Sequence, residues 1–479
     1  MEKEEEKQLI KTNTNANKYS YINFITFSLQ ISSLYFIDLI PISFSYYLLK
    51  AKQDNLLTAA FGFGLTYQNF CFVFVYGFSE AFGVFGSRYY GARNFNSFNI
   101  ILFQTLGFMF LFLILSVSLM VYNLEIQRAL GINELLANKV SWFLYCNILE
   151  RVFDCLNTLG RHTLISQEIT SVFFRINVMC ILSFFIIAYV CINILNFGLG
   201  GYVIARYTKT LMETVLELYY IKKLSNESIM QIPALNSLSQ NFKRTFLFYI
   251  YTAFGIYGTI MALEVSSNFA AVSNSLADTS AWMSFINVVY YCSFIGFGIT
   301  NTLRTHANIQ KGKHNLEKMM WITKLYWKYA IASGLGLGII LFVFSRTIAS
   351  FFTERPETLN SLASLLRLYA FLVCIDFNMT FCGMVLRLFD RAWQQSICAA
   401  IYFPIVMILL SSISTYKYKL GNYGIFACYA FSVVSTYTMI LILNIKAGKI
   451  YKEEFFERPS LSQLGSDLEL TDLSLSAKF

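Results

Sequence analysis

With 479 residues, 56% hydrophobic and only 14% charged, and a mean hydropathy of +0.52, the chain has too little charge to cover a water-facing surface, for which about a quarter charged residues is usual. This excludes an ordinary soluble domain and indicates a membrane protein. The formal charge of +9 fits basic loops on the cytoplasmic side of a multi-pass protein better than a nucleic-acid-binding surface.

The chain opens on MEKEEEKQLIKTNTNANK, charged and polar with no signal-peptide pattern, and 1–20 is read as a cytoplasmic tail. Spanning about 30 Å of hydrocarbon as a helix takes about 20 apolar residues. Twelve candidate spans follow in order: 22–49, 57–87, 96–122, 140–160, 167–193, 198–221, 242–268, 273–302, 321–344, 361–386, 394–415 and 421–446. Pro41 falls inside the first and is expected to kink it, with a gating role in view. The fourth span carries Glu150, Arg151 and Asp154, the fifth Arg175, and the sixth Arg206, Lys209, Glu213 and Glu217 at helical spacings. Such intramembrane charges form a network within the bundle or line a polar cavity. The stretch KKLSNESIMQIPALNSLSQNFKR is the longest polar run inside the bundle. It separates a six-helix lobe at 21–223 from a second at 242–447, with 224–241 as a cytoplasmic linker. The end of the chain, 448–479, reads as a solvated cytoplasmic tail.

Basic residues set the orientation. With both termini cytoplasmic, Arg88, Arg93, Arg161, Lys222, Lys223, Lys243, Arg244, Arg304, Lys311, Lys313, Lys318 and Arg391 all fall on the cytoplasmic side. An internal echo supports two lobes. YGFSEAFGVFGSRYYGARN ends the second span and FGITNTLRTHANIQKGKHN ends the eighth. Gly77 aligns with Gly298, Ser79 with Thr300, Gly91 with Gly312 and Asn94 with Asn315, the pattern of two parallel six-helix repeats. The ten cysteines are scattered without a CxxC pair and read as small buried hydrophobes. His162, His306 and His314 fall in expected loops without ligand spacing, so no metal or other cofactor is expected.

The segment GFSEAFGVFGSRYYGARNF resembles the signature that closes the second helix of the multidrug and toxic compound extrusion (MATE) family, A-L-x-T-L-x-G-Q-A-x-G-A, through Ala81, Gly91 and Ala92; Arg88 stands where the family has glutamine. ALGINELLANKVSWFL is similar to the loop before the fourth helix, and GLGGYVIA to the start of the sixth. ITNTLRTHANIQKG resembles the R-V-G-x-x-L-G region after the eighth through Arg304 and Gly312, with Thr305 and His306 replacing Val-Gly. FFTERPETLNSLASLLRLYAF resembles the loop into the tenth helix. IDFNMTFCGMVLRLFDR resembles F-D…G-V-L-R-G…R through Asp376, Gly383, Leu386, Arg387 and Arg391. The resemblance is carried by the collinear order of these segments across nearly the whole chain.

That resemblance implies an all-α membrane protein of twelve transmembrane helices in two six-helix lobes related by pseudo-two-fold symmetry, acting as a secondary antiporter by alternating access. Glu264, in LEVSSNFAAV of the seventh span, sits where the family carries its coupling carboxylate, and Asp376 of the tenth span where members bring a second acid near it. A carboxyl group at mid-membrane is costly, on the order of 2.5–3.5 kcal/mol on insertion scales. One withdrawn from water holds its proton more tightly, and two close together share a proton or cation. In some members a tyrosine lies one turn before this aspartate; here Leu372 stands there, which weakens the case for sodium. Certain members have an aspartate in the first helix, where this chain has Tyr46, and Asp38 lies about two turns earlier, so no role passes to it.

The expected function is export of organic cations, drugs or amphiphilic metabolites in exchange for protons, from the plasma membrane or an acidic internal compartment, by a monomer whose partners are a small organic substrate, a coupling proton or sodium, and the bilayer. Sodium-coupled export, and a lipid or oligosaccharide flippase of related fold, are the alternatives. No P-loop or nucleophile–base pair suggests an enzyme, and nothing points to nucleic acid.

Overall fold

In a bilayer every backbone N–H and C=O must be satisfied within the protein, which leaves helices as the simplest solution for long apolar runs. The computed structural model follows that rule. It describes residues 24–49 except 34, 36, 38 and 46, then 55–129, 134–224, 228–239, 241–273, 276–353 and 355–456. Asp38, Tyr46, the tail 1–20 and residues 457–479 lie outside them; the first part of the expected C-terminal tail, 448–456, is instead the last turns of a helix. No strand occurs among the described residues.

Helix α1 occupies 24–49. It is followed by α2 (Asn55–Gly91), α3 (Phe95–Val121), the short α4 (Asn123–Ala129), α5 (Glu134–Ser166) and α6 (Ser171–Tyr189), which ends in a π-turn at Val190–Ile194. Then come α7 (Leu199–Leu224), α8 (Phe242–Ser273), α9 (Leu276–Gly312), α10 (Leu316–Phe352) and α11 (Pro356–Leu388). The twelfth and thirteenth helices, α12 (Ala392–Ser396) and α13 (Phe403–Ser412), form one long segment through π-turns at Ile397–Tyr402 and Ile413–Tyr418, and α14 (Gly421–Phe456) closes the bundle. Each expected span lies on one of these long segments. Eight, on α2, α3, α6, α9, α10, α11, α12–α13 and α14, are long and apolar enough by composition alone to cross a membrane. On α5 and α7 the apolar window is interrupted by the charges noted above.

The helices outrun their apolar windows, which corrects one expectation. His162 and His306 are not in loops; they are buried inside α5 and α9. Backbone hydrogen bonding carries a helix past the point where hydropathy falls, so long as a cap or turn ends it further on.

Two hydrophobic cores divide the molecule. One gathers Phe61, Phe72, Phe82, Phe143 and Tyr202 from α2, α5 and α7. The other gathers Trp282, Phe285, Tyr369, Leu386 and Tyr429 from α9, α11 and α14. Helix α8 joins both: Phe248, Tyr249 and Ala253 pack in the first core, Ala262, Leu263 and Ala270 in the second. The segment before α8 is tied to the first half, where Asn99 Nδ2 donates to Ser228 O (2.7 Å), Met230 N to Asn99 Oδ1 (2.8 Å) and Gln104 Nε2 to Leu238 O (2.8 Å).

The sequence echo is a structural repeat. Asn94 caps α3 by accepting from Ser97 N (3.0 Å), and Asn315 caps α10 by accepting from Lys318 N (2.9 Å). Arg93 and His314, just before these caps, both adopt positive φ, 56° and 55°. Further on, the turns after α5 and α11 match at Glu168 (φ 63°) and Asp390 (φ 60°). The aligned glycines make related contacts. Gly91 lies on the backbone of Ile309 and Gly312 on that of Arg88; Gly77 lies on Ala253 and Gly298 on Ser32, each leaving no room for a Cβ. Pairs exchanged in this way are what a two-fold axis between the halves produces. They bring α2 and α9 together along the ends that finish at Gly91 and Gly312.

Candidate coupling site

Asp376 lies in the middle of α11 and is buried. Tyr369, two helical turns earlier on the same face, donates to Asp376 Oδ2 at 2.9 Å, and Tyr429 of α14 donates to the same oxygen at 3.1 Å. Phe285 packs edge-on against Tyr369, with ring centroids 5.6 Å apart. Among the described residues no cation pairs with this carboxylate. The position one turn before Asp376, Leu372, is a buried aliphatic; the tyrosines come instead from one turn further back and from another helix. Sequence reading missed both. The seven-residue spacing to Tyr369 was a visible signal, whereas Tyr429 was not findable from spacing.

Glu264 lies on α8, but its side chain is outside the described residues. Its neighbour Leu263 belongs to the same buried cluster as Phe285, Tyr369 and Tyr429. Ser266, two residues on, accepts from Trp282 Nε1 of α9 at 3.3 Å, so this part of α8 is seated against the helix that also carries Phe285.

The first half holds a network of a different kind. Glu150 Oε1 accepts from Arg206 Nε (2.9 Å) and Thr210 Oγ1 (3.1 Å), and Glu150 Oε2 lies 3.3 Å from Arg151. Arg151 Nη1 reaches Asp154 Oδ2 at 2.9 Å and the Tyr76 hydroxyl at 2.6 Å, and Tyr76 donates to Asp154 at 2.5 Å. Arg206 also approaches Asp154 at 3.8 Å. Two carboxylates thus face two guanidinium groups, with Tyr76 of α2 the member that sequence reading missed. One turn along α7, Lys209 and Glu213 pair at 2.6 Å, and Glu217 lies against Gly160 of α5, all buried. Arg175 is exposed on α6. Pro41 is buried inside α1, and its carbonyl accepts from Ser45 Oγ at 2.8 Å.

A third cluster, also missed, spans the two halves. Glu80 of α2 forms an ion pair with Arg304 of α9. Arg304 Nη2 also donates to His162 Nδ1 of α5 at 2.8 Å, and Asn301 Nδ2 of α9 donates to Glu80 Oε1 at 3.3 Å. Gly83, one turn from Glu80, leaves the space that the Arg304 guanidinium occupies.

Membrane-spanning helices in two repeat-related halves are an architecture common among membrane transporters. The MatE sequence family matches residues 39–190. A eukaryotic MATE transporter, AtDTX14, superposes with a TM-score of 0.77 at 14% identity, over 91% of this chain and 99% of that one. A MOP superfamily transporter from Pyrococcus furiosus, described as having a binding pocket of reverse polarity that suggests a different function, gives 0.78 at 14% over 90% and 96%. An outward-facing multidrug resistance MATE transporter of the MOP superfamily gives 0.76 at 14% over 90% and 96%. A search by sequence finds no match among curated proteins. The chain thus matches the MatE family model over 39–190 and has the fold of the MATE transporters, and it is an integral, multi-pass membrane protein.

Proposed function

We propose that the chain is a proton-coupled antiporter that exports organic cations or amphiphilic compounds, with Asp376 and Glu264 as the coupling carboxylates. One observation carries the reading. Glu80, Glu150, Asp154 and Glu213 each face a cation, whereas Asp376 is held by two tyrosine hydroxyls. An isolated buried carboxylate is costly unless a proton or small cation neutralises it. Such a group can exchange its proton without breaking an ion pair. A proton then shifts the balance of two lobe arrangements only through its different affinity for them. The balanced cluster of Glu150, Arg151, Asp154 and Arg206 is read as scaffold within the lobe 21–223.

Aromatic rings between the halves support the substrate class. Phe70 and Phe74 of α2 approach Tyr257 of α8, with centroids 5.7 and 5.0 Å apart, and Tyr35 stacks with Phe294 at 5.9 Å. Such faces attract flat cations. The positive-inside pattern puts the ends of α2 and α9 on the cytoplasmic side in this reading.

The test is uptake of a fluorescent organic cation into sodium-free proteoliposomes under an imposed pH gradient. Wild type is expected to accumulate the dye, and Glu264→Gln and Asp376→Asn each to lose at least ~90% of gradient-driven uptake while remaining folded. Uptake by both variants at the wild-type rate would remove these acids from the coupling role. A wild type that moves no dye in either gradient direction would shift the substrate toward a lipid or glycolipid, read by a flippase assay.

A further inference from the structure

The face where α2 and α9 converge carries an ion cluster that the coupling site does not use. Asp390 sits in the turn between α11 and α12 at φ 60°. Its backbone N donates to Arg387 O (3.1 Å), and the next residue, Arg391, donates to Leu386 O (2.8 Å), so the turn holds the side chain in a fixed direction. Lys311 Nζ, at the end of α9 in the same half, donates to Asp390 Oδ2 (2.7 Å) and to Leu388 O (2.6 Å). Arg88 Nη2, at the end of α2 in the other half, donates to Asp390 Oδ1 at 2.8 Å. Arg244 of α8 and Tyr89 lie in the same electrostatic neighbourhood. One carboxylate therefore gathers cations from both halves beside the Gly91 and Gly312 contacts.

The repeat-related turn of the first half also carries an acid. Glu168 reaches His306 Nε2 of α9 at 3.5 Å, and His306 is packed between Phe24 and Phe27, each 4.6 Å away by ring centroid. The equivalent turn of each half thus sends a carboxylate to the opposite half or its border. Only the Asp390 arm meets an arginine that is always charged.

We propose that Arg88 and Asp390 form an inter-lobe latch that holds this face closed, with Lys311 as a positioning residue that keeps Asp390 aimed and paired after the lobes part. The partner of Arg88 is an aspartate from the opposite half. A latch of this design sets the ratio of closed to open states without touching substrate or coupling proton. At the latch itself, opening gives up the Arg88–Asp390 hydrogen bond without stranding the carboxylate, because Lys311 travels with Asp390.

The latch is tested by double electron–electron resonance on the full chain in nanodiscs. Spin labels are placed at Asn96→Cys and Glu317→Cys, exposed positions on either half at this face, with Cys146, Cys374 and Cys428 replaced by serine. No substrate is needed, so the result stands apart from the outcome of the dye assay. Arg88→Gln is expected to lower the closed-to-open ratio roughly tenfold, as loss of a charged hydrogen bond would. Arg88→Lys is expected to keep most of the closed population, and Arg88→Gln to have little added effect in an Asp390→Asn background. Unchanged distances in Arg88→Gln would overturn the proposal. So would a Gln effect that persists undiminished with Asp390→Asn, or an Arg88→Lys variant as open as Arg88→Gln; the last would mark Arg88 as a packing residue.

Discussion

Asp376 and Glu80 are both acids in apolar helices, yet their surroundings give them opposite roles. Asp376 is supported by neutral donors, so removing one support is expected to be mild. Tyr369→Phe and Tyr429→Phe each delete one hydrogen bond, and each is expected to lower stability by about 1–2 kcal/mol, read by thermal unfolding in detergent. Glu80 is bound to a guanidinium that is fully buried. Glu80→Ala strands that charge and is expected to destabilise by about 3–5 kcal/mol, whereas Glu80→Ala with Arg304→Met removes both charges and recovers most of the loss. A double variant as unstable as the single would show that Glu80 contributes through packing. At this scale the sequence was half legible. Asp376 stood out as a lone charge in an apolar run. Glu80 was visible as a charge too, but its importance depends on Arg304, which lies six long helices further along the chain.

Among the helices, the repeat makes definite demands on glycine. Gly312 faces the backbone of Arg88 and Ala92, where neither side can yield as a flexible side chain would, while Gly336 on α10 has nothing within 4 Å of the point where a methyl group would sit. Gly312→Ala is therefore expected to destabilise the closed arrangement by about 1–3 kcal/mol, seen as a longer distance between the labelled halves. Gly336→Ala is expected to be neutral or to stabilise by up to about 1 kcal/mol. Hydropathy located the long segments because lipid demands continuous apolar length. It misplaced their ends, as His162 and His306 show, because helices continue through polar sequence once neighbouring helices supply the partners.

For the whole molecule, the proposed latch and the proposed coupling carboxylates are expected to separate by their response to pH. Burial alone would push the Asp390 carboxyl up, but the Arg88 and Lys311 cations overcome it and hold it well below the usual carboxylate range. A group depressed in this way contributes its full stabilisation above the ordinary value of about 3.9, and loses it only as pH falls through the depressed value. The closed population of the wild-type chain, set by the latch, is therefore expected to gain nothing from Asp390 titration above about pH 5. A pH-dependent opening that survives in Asp390→Asn but vanishes in Asp376→Asn would assign the proton response to the coupling site. A response that vanishes in Asp390→Asn alone would contradict this division.

Composition and periodicity by themselves determined that the chain lives in a membrane, that it is helical, and that it repeats after six spans, since each follows from local hydropathy and short motifs. The glycine echo even marked the surfaces that would meet. Only the tertiary structure decided which charges are neutralised and by whom. The pairing of Glu80 with Arg304, of Asp390 with Arg88, and of Asp376 with Tyr429 joins residues on different helices. Electrostatic energy depends on separations of a few ångströms, and sequence distance does not encode them.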